Sequence, residues 1–286
     1  VACGPNAFDF KWPEQVMRKV PGQADGLSLH YYNVPYNWDH KGSATEFNTK
    51  DYDRTVAKAY RMEEMVRRHT EIMKSANRIA EKAFLELLND VKPGKTEKEL
   101  AARFDYLMAL GGSDGVSFDT ILLTGAHTSM PHGVPENREV QKGDFVLFDF
   151  GATYRGYHSD MTRTVAVGSA TAEMQAAYDL VLRAQLAGIQ ALHAGVPCKE
   201  VYQAAYDVLA AEDKAQYFRH SLGHGLGLEI HEGYNASPRS GDVYQTGNVT
   251  SMEPGIYLPD KFGIRIEDVL YLSPHGRENL SNVTKK

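Results

Sequence analysis

Apolar side chains recur at three- and four-residue spacing from Val56 through Ala59, Tyr60, Met65, Val66, Ile72, Met73, Ala76, Ile79, Ala80, Ala83, Phe84, Leu87 and Leu88, which predicts a helix with one buried face. Asn48-Thr49-Lys50-Asp51 supplies a cap region at its start. The run exceeds the roughly 8–20 residues of an ordinary globular helix, so two helices spliced end to end are one reading of it. Before it, residues 1–50 alternate short apolar stretches with Gly, Pro and Asn, and Gly26 to Tyr32 reads as a strand leaving into a loop.

Further along, the period changes to two. In "GDFVLFDFGATYRGYHSDMTRT", Phe145, Leu147 and Asp149 share one face of a strand, Gly151 and Gly156 mark a turn, and Asp160 begins the return strand. Such a hairpin brings both aspartates to one spot. "SMEPGIYLP" and "GIRIEDVLYLS" read as two closing strands; in the second, Arg265 and Glu267 project from one face and Asp268 from the other. "HSLGHGLGLEIHE" supplies His220, His224 and His231, with Gly223, Gly225 and Gly227 letting the backbone pack closely around a bound ion or substrate. His132 lies in a loop rich in Pro and Gly, where the neighbouring His127 reads as incidental.

Composition narrows the class. The chain has 286 residues, 42% of them hydrophobic, enough for one large or two small globular domains. No run of about 18 apolar residues is present and the N-terminus lacks the charged-then-apolar order of a secretory signal, so no membrane partner and a cytoplasmic location are expected. Cys3 and Cys198 stand far apart without a CxxC partner, which argues against a disulfide framework and a thiolate zinc site. The net charge of −6 gives no hint of nucleic acid. It is unevenly spread: residues 1–74 carry 11 basic and 10 acidic residues, a charge of +1, and the remainder 20 basic and 27 acidic, a charge of −7.

From about Lys74 to the C-terminus these motifs resemble the pita-bread metallopeptidases, the family of methionine aminopeptidase, aminopeptidase P and prolidase. The resemblance implies an α+β fold, a curved antiparallel sheet backed by helices, and a ligand set for two divalent ions of Asp149, Asp160, His224, Glu253 and Glu267. Four carboxylates in one cleft repel one another by several kcal/mol at low effective dielectric, which cations between them relieve. By the same resemblance, Asp149 and Glu267 bridge the ions, Asp160 binds one, and His224 with Glu253 the other. A bridging water is acidified into the hydroxide that attacks the scissile carbonyl. Glu253 relays the proton, while His231 and His132 stabilise the tetrahedral oxyanion. Oxygen donors with one imidazole suit Mn, Co, Zn or Fe, and Mn is the preferred expectation. Glu229 and Glu232 are assigned to solvent. His220 and Arg265 resemble the substrate-binding residues of prolidase and aminopeptidase P, pointing to an Xaa-Pro peptide substrate, as a dipeptide or at a peptide N-terminus. The alternatives are a methionine aminopeptidase-like activity and a non-catalytic pita-bread binding protein; a homodimer is the default assembly.

Residues 1–73 carry other motifs. "VACGPNAFDFKW", "DGLSLHYYNVP", "KGSATEF" and "AYRMEEMVRRHTEIM" resemble an internal stretch of the retaining α-L-arabinofuranosidases, implying an incomplete (β/α)8-barrel fragment in which His30 and Tyr31 match a sugar-site pair. The two glutamates that flank this stretch in that family have no counterpart here, and glycoside hydrolysis needs two carboxylates. The fragment is therefore expected to be non-catalytic, loosely packed and fused, by natural, engineered or misassembled origin, to a catalytic domain of residues 74–286. The junction is expected near residues 69–75, inside the long helix.

Overall fold

A computed structural model describes residues 2–3, 27–28 and 49–285, with side chains described from residue 68 onward. The chain divides into two compact units, Val1–Ile72 and Met73–Lys286. In the first, β1 (Ala2–Cys3) and β2 (Leu27–Ser28) pair in parallel. The arabinofuranosidase-like loops, with His30 and Tyr31, lie outside the described residues.

The apolar run is one continuous helix, α1 (Thr49–Leu87), of 39 residues. The stretch contains neither Gly nor Pro, so nothing in it interrupts the i→i−4 ladder. After it comes α2 (Glu97–Leu110), started by a capping box in which Thr96 accepts from the Glu99 N–H and Glu99 accepts from the Thr96 N–H. Then follow β3 (Gly115–Val116), β4 (Ile121–Thr124), a 3₁₀ turn at Gly125–Ser129, β5 (Phe145–Phe150), β6 (Ala152–Tyr154), β7 (Tyr157–His158) and β8 (Met161–Ala166). The second half repeats the plan with α3 (Ala172–Ala191), α4 (Cys198–Ala210), β9 (Gly223–Gly225), β10 (Glu232–Ala236), β11 (Val249–Met252), β12 (Gly255–Leu258), β13 (Phe262–Arg265), β14 (Asp268–Ser273) and β15 (Gly276–Asn279).

Every strand pair in the second unit is antiparallel, but the expected single sheet is divided into orders β4-β5-β8, β3-β6-β7, β10-β9-β11-β14-β15 and β12-β13. The division has a local cause. Between the paired rungs Met252↔Asp268 and Gly255↔Arg265, the long hairpin loses its regular pairing at Glu253-Pro254 and Ile266-Glu267. Pro254 has no N–H to give, the Glu253 N–H goes to Leu222 O at 2.8 Å, and the Glu267 N–H goes to Thr162 O at 3.1 Å. Both glutamates thus sit where their strands change partner.

Two apolar cores flank this seam. Val146, Phe148 and Phe150 of β5 pack on Ala80, Phe84 and Leu87 of α1 and on Leu100 and Phe104 of α2. The Phe104 and Phe150 rings lie 4.5 Å apart and those of Phe84 and Phe150 5.3 Å. The other core joins Leu180, Val181 and Ala184 of α3 and Val201 and Ala205 of α4 to Met252, Ile256, Ile264 and Leu270. Because alternate residues face opposite sides, burying Val146, Phe148 and Phe150 on the helices turns Asp149 toward the open face.

Candidate metal centre

Nine residues singled out in the sequence, His132, Asp149, Asp160, His220, His224, His231, Glu253, Arg265 and Glu267, line one cavity of about 590 Å³. Asp149 and Asp160 come from the first half of the fold and His224, Glu253 and Glu267 from the second, so the cavity spans the seam. Asp149 pairs with Thr162 across β5 and β8, and the strand that was expected to begin at Asp160 begins one residue later, at Met161. The turn between them forms β6 and β7, and β6 pairs with β3.

His224 is at the centre of the cluster. Its Nε2 lies 3.4 Å from Asp160 Oδ2 and 3.5 Å from Glu253 Oε1. Donor atoms of Asp160, His224 and Glu267 all fall within 4.8 Å of one another. Ser251 orients two of these groups, accepting the His224 N–H at 3.0 Å and donating to Glu253 Oε1 at 3.1 Å. Thr162 donates to Glu267 Oε2 at 2.6 Å. Gly223 and Gly225 are needed for close approach between strands rather than to a ligand: a Cβ would lie 2.0 Å from Ser251 O at the first and 2.2 Å from Glu232 O at the second.

The electrostatics suit a bound cation. Burial first, then the charge of Asp149, pushes the Asp160 carboxyl up to about 6 despite its hydrogen bond with His224. Burial also raises Glu253 to about 7, with Asp160 adding to the effect against the charge of His224. Glu267 is raised well above the usual carboxylate range by burial and then by Asp160, Glu253 and Asp149. For His224, burial is the largest influence and pulls downward, but hydrogen bonding to Asp160 and the charges of Asp160 and Glu253 outweigh it and hold the imidazole at about 9. Asp149 Oδ1 is buried with no hydrogen-bond partner, an acceptor with an open valence. Crowded carboxylates, one imidazole and an orphaned oxygen fit a hard or borderline divalent cation.

The remaining residues form the walls. Arg265 donates to Asp149 Oδ2 at 2.5 Å, to the Tyr257 hydroxyl at 2.6 Å and to Thr162 Oγ1 at 3.1 Å. His220 binds the same Tyr257 hydroxyl at 2.8 Å, and burial and the Arg265 charge hold its imidazole down at about 3, so it stays neutral. His231 lies with its ring centroid 4.2 Å from that of His224 and is lowered by burial, then by the His224 charge. His132 is on the exposed rim. Asp268 is fully buried on the opposite side, bound to Arg163 at 2.9 Å. Glu229 is exposed, but Glu232, which was assigned to solvent, is half-buried and lines the cavity, accepting the Glu229 N–H at 3.3 Å.

Sequence reasoning missed Tyr257, the hydroxyl shared by His220 and Arg265, although the residue stands in the strand motif already singled out. It also missed Phe118, Asp119, Ile121, Ile230, Tyr234 and Asn235 among the lining residues. These carry no motif of their own.

A cavity of this kind on this fold is suited to hold divalent cations. The chain belongs to metallopeptidase family M24, whose family model matches residues 71–274, and its second unit has that family's pita-bread fold. It is similar to an Xaa-Pro dipeptidase of Pyrococcus furiosus, 36% identical over 255 residues that cover 89% of this chain and 72% of that protein. The solved Xaa-Pro dipeptidase from Bacillus anthracis aligns with TM-score 0.74 and 39% identity, covering 76% of this chain and 61% of that one. The prolidase from Pyrococcus furiosus aligns with TM-score 0.73 and 39% identity, covering 75% and 64%. The chain thus spans about three fifths of the length of these two solved relatives. By family and relatives it is of the metallo-exopeptidase class. Among the described residues, no helix is long and apolar enough to cross a membrane.

Proposed function

We propose that residues 74–286 form the catalytic domain of a dinuclear Xaa-Pro metallo-exopeptidase, with residues 1–73 contributing no catalytic group. The observation that carries this reading is the convergence of four carboxylates, His224, His220 and Arg265 on one cavity, the last two tied together by the buried Tyr257 hydroxyl. Asp149, Asp160, His224, Glu253 and Glu267 would hold the ions, for which manganese is our choice. When bound there, two such ions supply Lewis-acid polarisation of a peptide carbonyl and acidify water at neutral pH.

The chain's own groups account for the rest. Glu253, which accepts from Ser251 Oγ at 3.1 Å and lies 3.5 Å from His224 Nε2, is placed to carry a proton from the attacking water to the leaving nitrogen. His231 and His132 stand on the cavity's rim, where ring N–H groups can meet an oxyanion. An Xaa-Pro bond is a tertiary imide without an N–H, so selectivity rests on shape and on groups that hold the carbonyl and carboxylate; neutral His220 and cationic Arg265 are such groups.

The chelator-stripped protein is expected to bind two equivalents of Mn²⁺ and then cleave Leu-Pro, but not Leu-Ala. Full occupancy without Xaa-Pro cleavage would overturn the reading, and preferential release of N-terminal Met from a peptide would favour a methionine aminopeptidase-like activity.

The same ligands predict a pH effect. Folding raises Asp160 and Glu253 from 3.8 and 4.5 to about 6 and 7, so in the metal-free protein the protonated forms favour the folded state and this contribution is lost as pH rises through those higher values. His224, raised to about 9, has the same sign. The metal-free Tm is therefore expected to fall between pH 5 and 8, while the stabilisation conferred by Mn²⁺ grows as its binding displaces fewer protons. Thermal unfolding with and without Mn²⁺ tests this; a metal-free Tm that rises over that interval contradicts it.

A further inference from the structure

Glu97 is fully buried in the first turn of α2 and is not part of the cavity lining, yet it is one of the most heavily bonded carboxylates among the described residues. Its Oε1 accepts the Thr124 N–H at 2.8 Å and its Oε2 the Glu136 N–H at 2.8 Å. His127 Nδ1 donates between the two oxygens, at 2.9 and 3.0 Å. His127 is therefore a structural partner, not the incidental residue its sequence context suggests.

Thr124 closes β4 and Glu136 stands at the far end of the loop that follows, so one carboxylate holds both ends of the segment 125–135 and, through His127, its 3₁₀ turn. That segment presents His132 to the cavity. It is also tied to the strand beneath, since Gly263 N–H donates to Thr128 Oγ1 at 2.7 Å and Arg265 donates to Pro131 O at 3.3 Å. An apolar side chain would fill the Glu97 site without the cost of desolvating a charge. What a carboxylate alone offers is an acceptor-only group with two oxygens, able to satisfy two backbone donors and an imidazole at once.

We propose that Glu97 is a positioning residue for the peptidase reaction, closing the 124–136 loop so that His132 is held at the cavity's edge. The proposal rests on the function argued above. It assigns Glu97 no contact with substrate and no part in holding a metal. A glutamine at this position turns one N–H pair into a donor facing a donor. An aspartate keeps the charge but is one methylene short of spanning both chain ends.

The test uses the full chain loaded with Mn²⁺. In Glu97→Gln and Glu97→Asp, bound manganese is expected to match the wild type, amide hydrogen exchange within residues 125–136 to accelerate at least roughly tenfold, and kcat/KM for an Xaa-Pro dipeptide to fall roughly 10–100-fold, the range seen when a supporting partner of a functional group is lost. In a His132→Ala background, Glu97→Gln is expected to add less than about a threefold loss, because the two residues act as one unit. Unchanged exchange at 125–136, or losses for Glu97→Gln and His132→Ala that multiply independently, would overturn the proposal. So would failure of both Glu97 variants to fold, since Glu97 would then support the domain and not the loop. A wild type that binds Mn²⁺ but cleaves no Xaa-Pro peptide defeats the functional reading instead, and the exchange measurement still decides whether Glu97 holds the loop.

Discussion

Glu267→Gln is expected to lower kcat/KM by roughly 10³-fold or more, the several kcal/mol that a metal centre contributes to a hydrolytic transition state. The metal-free variant should nevertheless be as stable as the wild type. Burial and the neighbouring carboxylates hold Glu267 well above the usual carboxylate range, so its neutral form is the one the metal-free fold favours. Glutamine imitates that form in size and charge, and its carbonyl oxygen can still accept from Thr162 Oγ1, the donor 2.6 Å from Glu267 Oε2. What glutamine cannot supply is an anionic oxygen for a cation. Added Mn²⁺ stabilises the wild type according to RT ln(1 + [M]/Kd), and this increment should nearly vanish in the variant. Metal analysis and paired melting curves separate the effects. A variant that keeps two equivalents of manganese and its thermal increment would remove Glu267 from the ligand set.

Arg163→Met is expected to destabilise the domain by about 3–5 kcal/mol, the penalty for breaking a buried ion pair from one side. Arg163 is 2% exposed and its partner Asp268 is fully buried. The guanidinium also donates to the backbone oxygens of Thr162 at 2.9 Å, Glu267 at 2.5 Å and Val283 at 2.9 Å. Methionine leaves those oxygens without this donor and leaves Asp268 to Lys285 and to Asn279, whose side-chain amide donates at 2.8 Å. For a domain of this size, each kcal/mol shifts Tm by about 2–4 °C, so the fall should be roughly 6–20 °C. Since Arg163 holds the backbone carbonyl of Glu267, weaker manganese binding should accompany it. Arg163→Met combined with Asp268→Leu should recover part of the stability, because the buried carboxylate that has lost one of its two cationic partners is then gone. Equal losses in the single and double variants would mean that the pair itself contributes nothing beyond packing.

The site was far more legible than the scaffold that carries it. The period-two pattern of "FVLFDF" puts Asp149 on the face opposite Val146, Phe148 and Phe150, and the fold uses those faces for the cavity and the helix layer. Arg265 and Glu267 share the cavity while Asp268 points away to Arg163, as the register of a strand implies. By contrast, the break in the second hairpin has a local signal only at Pro254; at Ile266-Glu267 it follows from the Glu267 N–H turning to Thr162, more than a hundred residues distant in sequence. Glu97 was invisible for the same reason. Its partners lie 27, 30 and 39 residues away, and no short window contains the carboxylate together with both ends of the loop it closes. The unbroken course of α1 from Thr49 to Leu87 follows from the lack of Gly and Pro in that stretch.

The interrupted hairpin limits how this part of the chain can change in length. Glu253-Pro254 and Ile266-Glu267 leave the ladder over matching stretches, between one paired rung at Met252↔Asp268 and the next at Gly255↔Arg265. A single residue inserted into either arm between that gap and the tip would turn a glutamate to the other side of the ribbon. The tip between Leu258 and Phe262 has no such constraint, and Asp260 already adopts a positive φ of 59° there. Insertions and grafted sequences in this ribbon should therefore be tolerated at residues 259–261 and rejected along the arms.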